Sequence, residues 1–248
     1  MNFKNLEIAV ISRQGRSPFM EDFYVLNRNF GGYGWIFGGI YDGHCGHKAA
    51  KHTANLLHKM FLQKVLAGID PLKAFPETYQ EMSRQLKYQN SGTTAVNFFL
   101  QGKTLFYANA GDAKIIIIGA KKIEELTVCH RLSNPRERKR VENLGGFIKD
   151  PYLYRGIRGL MPTRTIGDEF FKPIGIIAKP AVGKYEVSEN NLAMIVASDG
   201  LFDEMDNKEI AGLVKRHRNP KIILKILEKE VIGRRRGQDN LTIIAVKF

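Results

Sequence analysis

Five carboxylates stand out in this chain by position: Glu21 and Asp22, Asp42, Asp199 and Asp239. Each falls at the end of a predicted strand. Trp35–Tyr41 closes on Asp42-Gly43, Leu192–Ser198 closes on Asp199-Gly200, and Gln238 precedes Asp239-Asn240. A carboxylate at the end of a buried strand is costly to desolvate unless positive charge meets it. No Lys or Arg lies within those three segments, so the pattern predicts that the carboxylates converge on hard cations. Mg²⁺ and Mn²⁺ take oxygen ligands, and a pair of such ions about 4 Å apart, bridged by one carboxylate, suits phosphate-ester cleavage. Asp42 is the bridging candidate. Gly43 leaves room for its own carbonyl to act as a ligand, and His44 is placed to protonate a leaving alcohol. Taken singly, an Asp-Gly pair is an ordinary turn; the combination and its order carry the inference.

Carboxylates so far apart in sequence can meet only if strand ends share one edge. Leu6–Ser12 and Asp22–Arg28 read as strands around a turn at Arg13–Pro18. Trp35–Tyr41 is a third strand, whose Gly38-Gly39 suggests a bulge or close backbone approach. Ala50, Ala54, Leu57, Phe61 and Val65 form a helical stripe that stops at Gly68, and a second helix spans Pro71–Tyr88. Thr93–Leu100, Thr104–Ala108 and Lys114–Ile118 follow hairpin spacing. Asn134-Pro135-Arg136-Glu137 resembles a capping box opening a helix to Leu144. Asp150–Gly167 shows weak periodicity and reads as irregular. Leu192–Ser198, two helices at Asn207–His217 and Pro220–Ile232, and a last strand at Leu241–Phe248 complete an α+β layering of stacked antiparallel sheets with helices outside.

The 248 residues, 44% hydrophobic and 25% charged, suit one domain over 1–248 with a lobe at about 147–165. Met1–Val10 lacks a signal-peptide core, and no apolar run reaches the ~20 residues of a membrane span. A soluble, cytoplasmic or nuclear monomer is expected. The net charge of +13 attracts anions. Its clusters, Arg136–Arg140 on a solvated helix face and Arg234-Arg235-Arg236 in a loop, are not interleaved with aromatics, so nucleic acid is a weak prospect. Cys45 and Cys129 are expected as free thiols.

Together these residues resemble the metal-dependent Ser/Thr protein phosphatases of the type 2C class, from Gly15 to Val246. The motifs are Met20-Glu21-Asp22, Tyr41-Asp42-Gly43-His44, Ser91–Ala95, Ala108–Asp112, Gly167-Asp168, Ala197–Asp203 and Asp239–Thr242. The resemblance implies a four-layer αββα sandwich of two antiparallel β-sheets flanked by helices, with a binuclear Mn²⁺/Mg²⁺ site at one edge. It implies Asp42 bridging both ions and Asp199 and Asp239 holding one. The Gly43 carbonyl would hold the other, with Glu21 and Asp22 reached mainly through water. His44 matches the general acid, and Asp203 matches a position linked to a third metal. Ser91–Ala95 and Asn109–Asp112 read as scaffold.

The chain departs from the pattern in three places. The phosphate-gripping Arg is Ser17 here, leaving Arg16 as the phosphate-binding candidate and Arg13 as a second. Asp-Gly-His-Gly-Gly appears as Asp42-Gly43-His44-Cys45-Gly46. Asp-His-Lys appears as Cys129-His130-Arg131, which weakens the third metal site, since sulfur is a poor ligand for Mg²⁺ or Mn²⁺. A redox role for Cys45 and Cys129, or a zinc site from Cys45, His47, Cys129 and His130, is a lesser alternative. The expected reaction is hydrolysis of phosphoserine or phosphothreonine in proteins by a metal-activated water. Lys149, Arg155, Arg158 and Arg164 of the lobe favour acidic phosphoprotein segments. Two alternatives stay open, a pseudophosphatase that binds phosphoproteins without cleaving them and a metal-dependent phosphodiesterase.

Overall fold

The structure, a computed structural model, describes residues 6–86 and 90–248. In chain order come β1 (Glu7–Arg13), β2 (Asp22–Phe30), β3 (Trp35–His44), α1 (Lys48–Leu66), α2 (Pro71–Gln85), β4 (Gly92–Thr93), β5 (Ala95–Gln101), β6 (Thr104–Ala110), β7 (Lys114–Gly119) and β8 (Ile123–Glu125). Then follow α3 (Pro135–Glu142), β9 (Phe147–Lys149), β10 (Tyr152–Arg155), β11 (Arg158–Leu160), β12 (Ile166–Gly167), β13 (Ala181–Glu186), β14 (Asn191–Ala197), α4 (Asp199–Phe202), α5 (Asn207–Lys215), α6 (Pro220–Glu228) and β15 (Leu241–Lys247).

Period-2 alternation within single strands shows how the layers arise. In β14, Met194 and Val196 face the other sheet, while Ala193, Ile195 and Ala197 face α5 and α6. In β5, Val96 and Phe98 point between the sheets, whereas Ala95 and Phe99 pack under α1 and α2. Strands apolar on both faces, such as the Ile115–Ile118 run of β7, are thereby buried twice. The result is helix, sheet, sheet, helix, the expected αββα sandwich. One sheet runs β1-β15-β14-β7-β8; the other runs β12-β4-β3-β5-β6-β13, with β2 also on β3, and every pairing within both is antiparallel.

The α1 stripe is buried as expected, and the helix stops at Gly68, whose φ of 84° and N–H to the Val65 carbonyl make a left-handed C-cap. α2 opens on the Asp70 cap and its last helical residue is Gln85; Tyr88 lies outside the described residues. Gly38 and Gly39 lie in unbroken register with β5, with no bulge between them. Their role is steric, since a Cβ would stand 2.2 Å from the Phe98 ring at Gly38 and 2.0 Å from Asn97 Nδ2 at Gly39. The segment expected to be irregular holds the small antiparallel sheet β9-β10-β11, because Leu153 and Leu160 find a separate core with Val141 and Phe171. Of the Arg234–Arg236 run only Arg236 is outside a helix: α6 continues into a π-helical segment, Lys229–Arg235.

Asn134 caps α3 through the Arg136 N–H. Glu137 does not complete the expected box. It is buried and accepts from Arg140 (2.6 Å), Arg164 (2.6 and 3.1 Å) and Thr163 (2.9 Å). Part of the Arg136–Arg140 run is therefore interior rather than a solvated face. The local signal of a cap acid was overridden by two arginines from the tertiary fold.

Candidate metal centre

The strand ends meet at one edge of the sandwich. β2 opens with Asp22, directly opposite Asp42 of β3. Two like charges facing each other across a ladder are unfavourable unless something neutralises them. From the other sheet, Asp199 follows β14 as the first residue of α4, Asp239 lies just before β15, and Asp112 sits in the turn between β6 and β7. Ser198 links the two sheets by donating to Asp22 Oδ2 at 2.9 Å. One oxygen from each of Asp42, Asp112 and Asp199 lies within 4.8 Å of the others.

The electrostatics follow from this crowding. Burial raises the Asp22 carboxyl to about 7, with the charges of Asp239 and Glu21 adding to the rise and hydrogen bonds from Thr242 and Ser198 opposing it. Burial, then the charge of Asp199 and of Asp22, holds Asp42 well above the carboxylate range. Burial, then Asp112 and Asp239, does the same to Asp199. So many carboxylates cannot all ionise together without added positive charge. Asp22 Oδ1 and Asp199 Oδ1 are buried with no hydrogen-bond partner, which suits oxygens that face a cation or its bound water. An all-oxygen donor set of this kind fits Mg²⁺ or Mn²⁺.

The neighbouring chain is built to hold this edge. Asn240 is buried; its Oδ1 accepts from the Glu21 N–H (2.7 Å) and the Asp22 N–H (3.3 Å), and its Nδ2 donates to the carbonyls of Gln14 and Phe19, each at 2.9 Å. One amide therefore sets both the Gln14–Phe19 turn and the start of β2. Glu21 turns its side chain to the Gly46 N–H. Gly43 donates to the Glu21 carbonyl at 3.2 Å, and a Cβ there would stand 2.7 Å from that carbonyl oxygen and 2.9 Å from Ala50 Cβ. Glycine is needed there for close packing of β2, β3 and α1.

His44 Nε2 lies 2.7 Å from Asp168 Oδ2. Burial alone would depress the imidazole, but the charge and hydrogen bond of Asp168 outweigh it and raise His44 above its ordinary value. Asp168, with φ 52°, follows β12 and packs over Gly92, where a Cβ would stand only 1.9 Å from its Oδ2. Gly92 pairs with His44 in register. The Ser91–Ala95 segment expected as scaffold thus carries the space that lets Asp168 reach the histidine.

Two more expectations need correction. Asp112, read as scaffold, joins the carboxylate cluster. The carboxylates also do not lack a protein cation: Arg131 donates to Asp112 Oδ2 (2.6 Å), Asp199 Oδ2 (2.8 Å) and both oxygens of Asp203 (2.9 Å each). It arrives from the loop after β8, outside the strand-end segments that carry the aspartates. Its signal was the Cys129-His130-Arg131 departure itself.

Of the phosphate-binding candidates, Arg13 is committed to Glu228 at 2.7 Å. Arg16 is exposed in the turn clamped by Asn240, with no ion pair among the described residues. Cys45 is exposed and Cys129 half-buried, both as free thiols. Burial, then the nearby Asp168 and Glu21, raises Cys45, and burial, then Asp112, raises Cys129. Raised thiols are the opposite of the activated cysteines that sense oxidants. Pockets of about 610 Å³ beside Tyr185 and about 510 Å³ beside Lys172 contain none of the predicted site residues.

A family model for protein phosphatase 2C matches residues 6–237. Probable protein phosphatase 2C member 13, mitochondrial, of Oryza sativa subsp. japonica is 31% identical over 98% of this chain and 68% of its own length. Probable protein phosphatase 2C 59 of Arabidopsis thaliana is 32% identical over 96% of this chain and 78% of its own. Against other relatives the chain spans as little as 50% of their length. Among solved structures, serine-threonine phosphatase 2C from Toxoplasma gondii superposes with a TM-score of 0.85 at 21% identity, covering 98% of this chain and 95% of that one. With the sandwich, the carboxylate edge and these matches in agreement, the chain belongs to the protein phosphatase 2C family of serine/threonine protein phosphatases.

Proposed function

We propose that this chain, acting as one catalytic unit, hydrolyses phosphoserine and phosphothreonine monoesters in proteins with a pair of Mn²⁺ or Mg²⁺ ions. The observation that carries the reading is the convergence of Asp42, Asp112 and Asp199 within 4.8 Å, with orphaned oxygens on Asp22 and Asp199. Asp42, Asp199, Asp239 and the Gly43 carbonyl would hold the ions, with Asp42 shared between them and Glu21 and Asp22 reached mainly through water. Bound there, the ions would supply charge neutralisation at the phosphoryl oxygens and an acidified water.

The protein groups do the rest. His44, held by Asp168 in a form biased toward protonation, gives its proton to the departing seryl or threonyl oxygen. Arg16 takes the phosphate-binding role that the residue at Ser17 cannot fill. In the lobe, Arg164 is bound to Glu137, and Arg155 is bonded to the Phe170 carbonyl and stacked on its ring. Lys149 is exposed, and Arg158 stays exposed although it donates to Asn90 and lies over the Phe170 ring, so these two carry the preference for acidic phosphosegments.

Among the described residues no helix is long and apolar enough to cross a membrane. A monomer in the cytoplasm or nucleus completes the reading. The test is Mn²⁺-dependent release of phosphate from a phosphothreonine peptide, run beside a phosphodiester. Cleavage of the peptide alone supports the reading. Phosphopeptide binding without cleavage would make the chain a pseudophosphatase, and diester cleavage would make it a phosphodiesterase.

A further inference from the structure

We infer that Arg131 is a built-in cation of the carboxylate cluster: its guanidinium takes the flank between Asp112, Asp199 and Asp203, so that this flank binds no divalent ion. The inference rests on the metal-centre reading above and concerns how many ions that centre holds.

All three guanidinium nitrogens are used. Nε donates to Asp112, Nη1 to Asp203 Oδ1, and Nη2 to both Asp199 Oδ2 and Asp203 Oδ2. Asp203 is gripped on both oxygens, the fork geometry that an arginine offers and a lysine ammonium lacks. A metal ion on the same flank would need these same oxygens. Asp199 Oδ2 is occupied by the guanidinium, while Asp199 Oδ1 is buried and unpartnered. The aspartate is thereby divided, one oxygen for the protein cation and one left for a metal. Displacing Arg131 would leave its charge, side-chain exposure 20%, partly desolvated without its partners. Asp203 is therefore a partner of Arg131 rather than a metal ligand.

The experiment counts ions rather than turnover. The full chain is stripped with chelator, and bound Mn²⁺ per chain is measured by equilibrium dialysis with electron paramagnetic resonance of the free ion. Asp203→Asn is expected to leave the wild-type count unchanged. Arg131→Met, with native far-UV circular dichroism, is expected to gain one ion per chain, and Arg131→Met/Asp203→Asn is expected to lose that gain. Loss of an ion from Asp203→Asn in the wild-type background overturns the inference, as does a folded Arg131→Met with an unchanged count. Should Arg131→Met not fold, Arg131→Gln replaces it, because a neutral amide removes the charge and cannot hold all three carboxylates, and the same gain is expected. A wild type that binds no Mn²⁺ fails the metal-centre reading itself, a result distinct from either.

Discussion

Replacing Glu137 with Gln removes one charge from a buried cluster and leaves two. The carboxylate is 3% exposed and accepts from Arg140, Arg164 and Thr163. Burial works against its ionisation, yet the bonds from Arg164 and Arg140 outweigh this and take it from 4.5 down to about 2. At about 1.4 kcal/mol per pKa unit, that span corresponds to about 3 kcal/mol of stability. Removing one partner of a buried pair costs a similar ~3–5 kcal/mol by general experience. The sign follows from the depressed value: the contribution is complete above pH 4.5 and is lost as pH falls through about 2. Urea denaturation of wild type and Glu137→Gln should thus differ by about 3 kcal/mol at neutral pH, with the gap falling below half of that near pH 3. A gap under about 1 kcal/mol at pH 7, or one that is flat across the acid range, would refute the assignment of Glu137 as an ionised anchor.

Asp168→Asn should lower the His44 pKa. The raised imidazole gains stability from Asp168 below 6.5 and loses it as pH rises through its folded value, so the basic limb of the kcat–pH profile should move to lower pH, and an unmoved limb would count against the pairing. Gly92→Ala should do the same without replacing either partner, because its Cβ would stand 1.9 Å from Asp168 Oδ2 and push that carboxylate away; ¹H–¹⁵N spectra of the imidazole report both variants. Asn240→Ala should weaken Mn²⁺ affinity by about 10- to 100-fold in a direct titration, the usual effect of losing a group that orients ligands; unchanged affinity would remove Asn240 from that role. Raising salt should raise KM for acidic phosphopeptides, since Arg158 and Lys149 are exposed and their attraction is screened; a flat response would discount them.

The layering was legible because period-2 strands and 3.6-residue helices report their buried faces locally. Ala50, Leu57 and Phe61 of α1 and Met194 and Val196 of β14 pack as their spacing requires. The aspartates at positions 42 and 199 were legible because charge at the end of an apolar run is locally anomalous. Arg131 was not, since its three partners lie 19, 68 and 72 residues away in sequence. The strands of the lobe were hidden for another reason: each has three or four residues, too few for a period to show. Glu137 misled because its position suits a cap, while the stronger bonds come from Arg164 across the fold.

The central claim is that these aspartates exist to hold divalent cations, and proton release on Mn²⁺ binding tests it most directly. Asp22 sits at about 7 in the metal-free chain, and burial holds Asp42 and Asp199 well above their ordinary value. Cation binding must therefore expel protons from the cluster. Calorimetric titration of the stripped chain near pH 6, in two buffers of different ionisation enthalpy, should show saturable Mn²⁺ binding with proton release, and Asp42→Ala should abolish both. Mn²⁺ binding by Asp42→Ala with the wild-type affinity and proton count, or no binding by the wild type, would contradict the account.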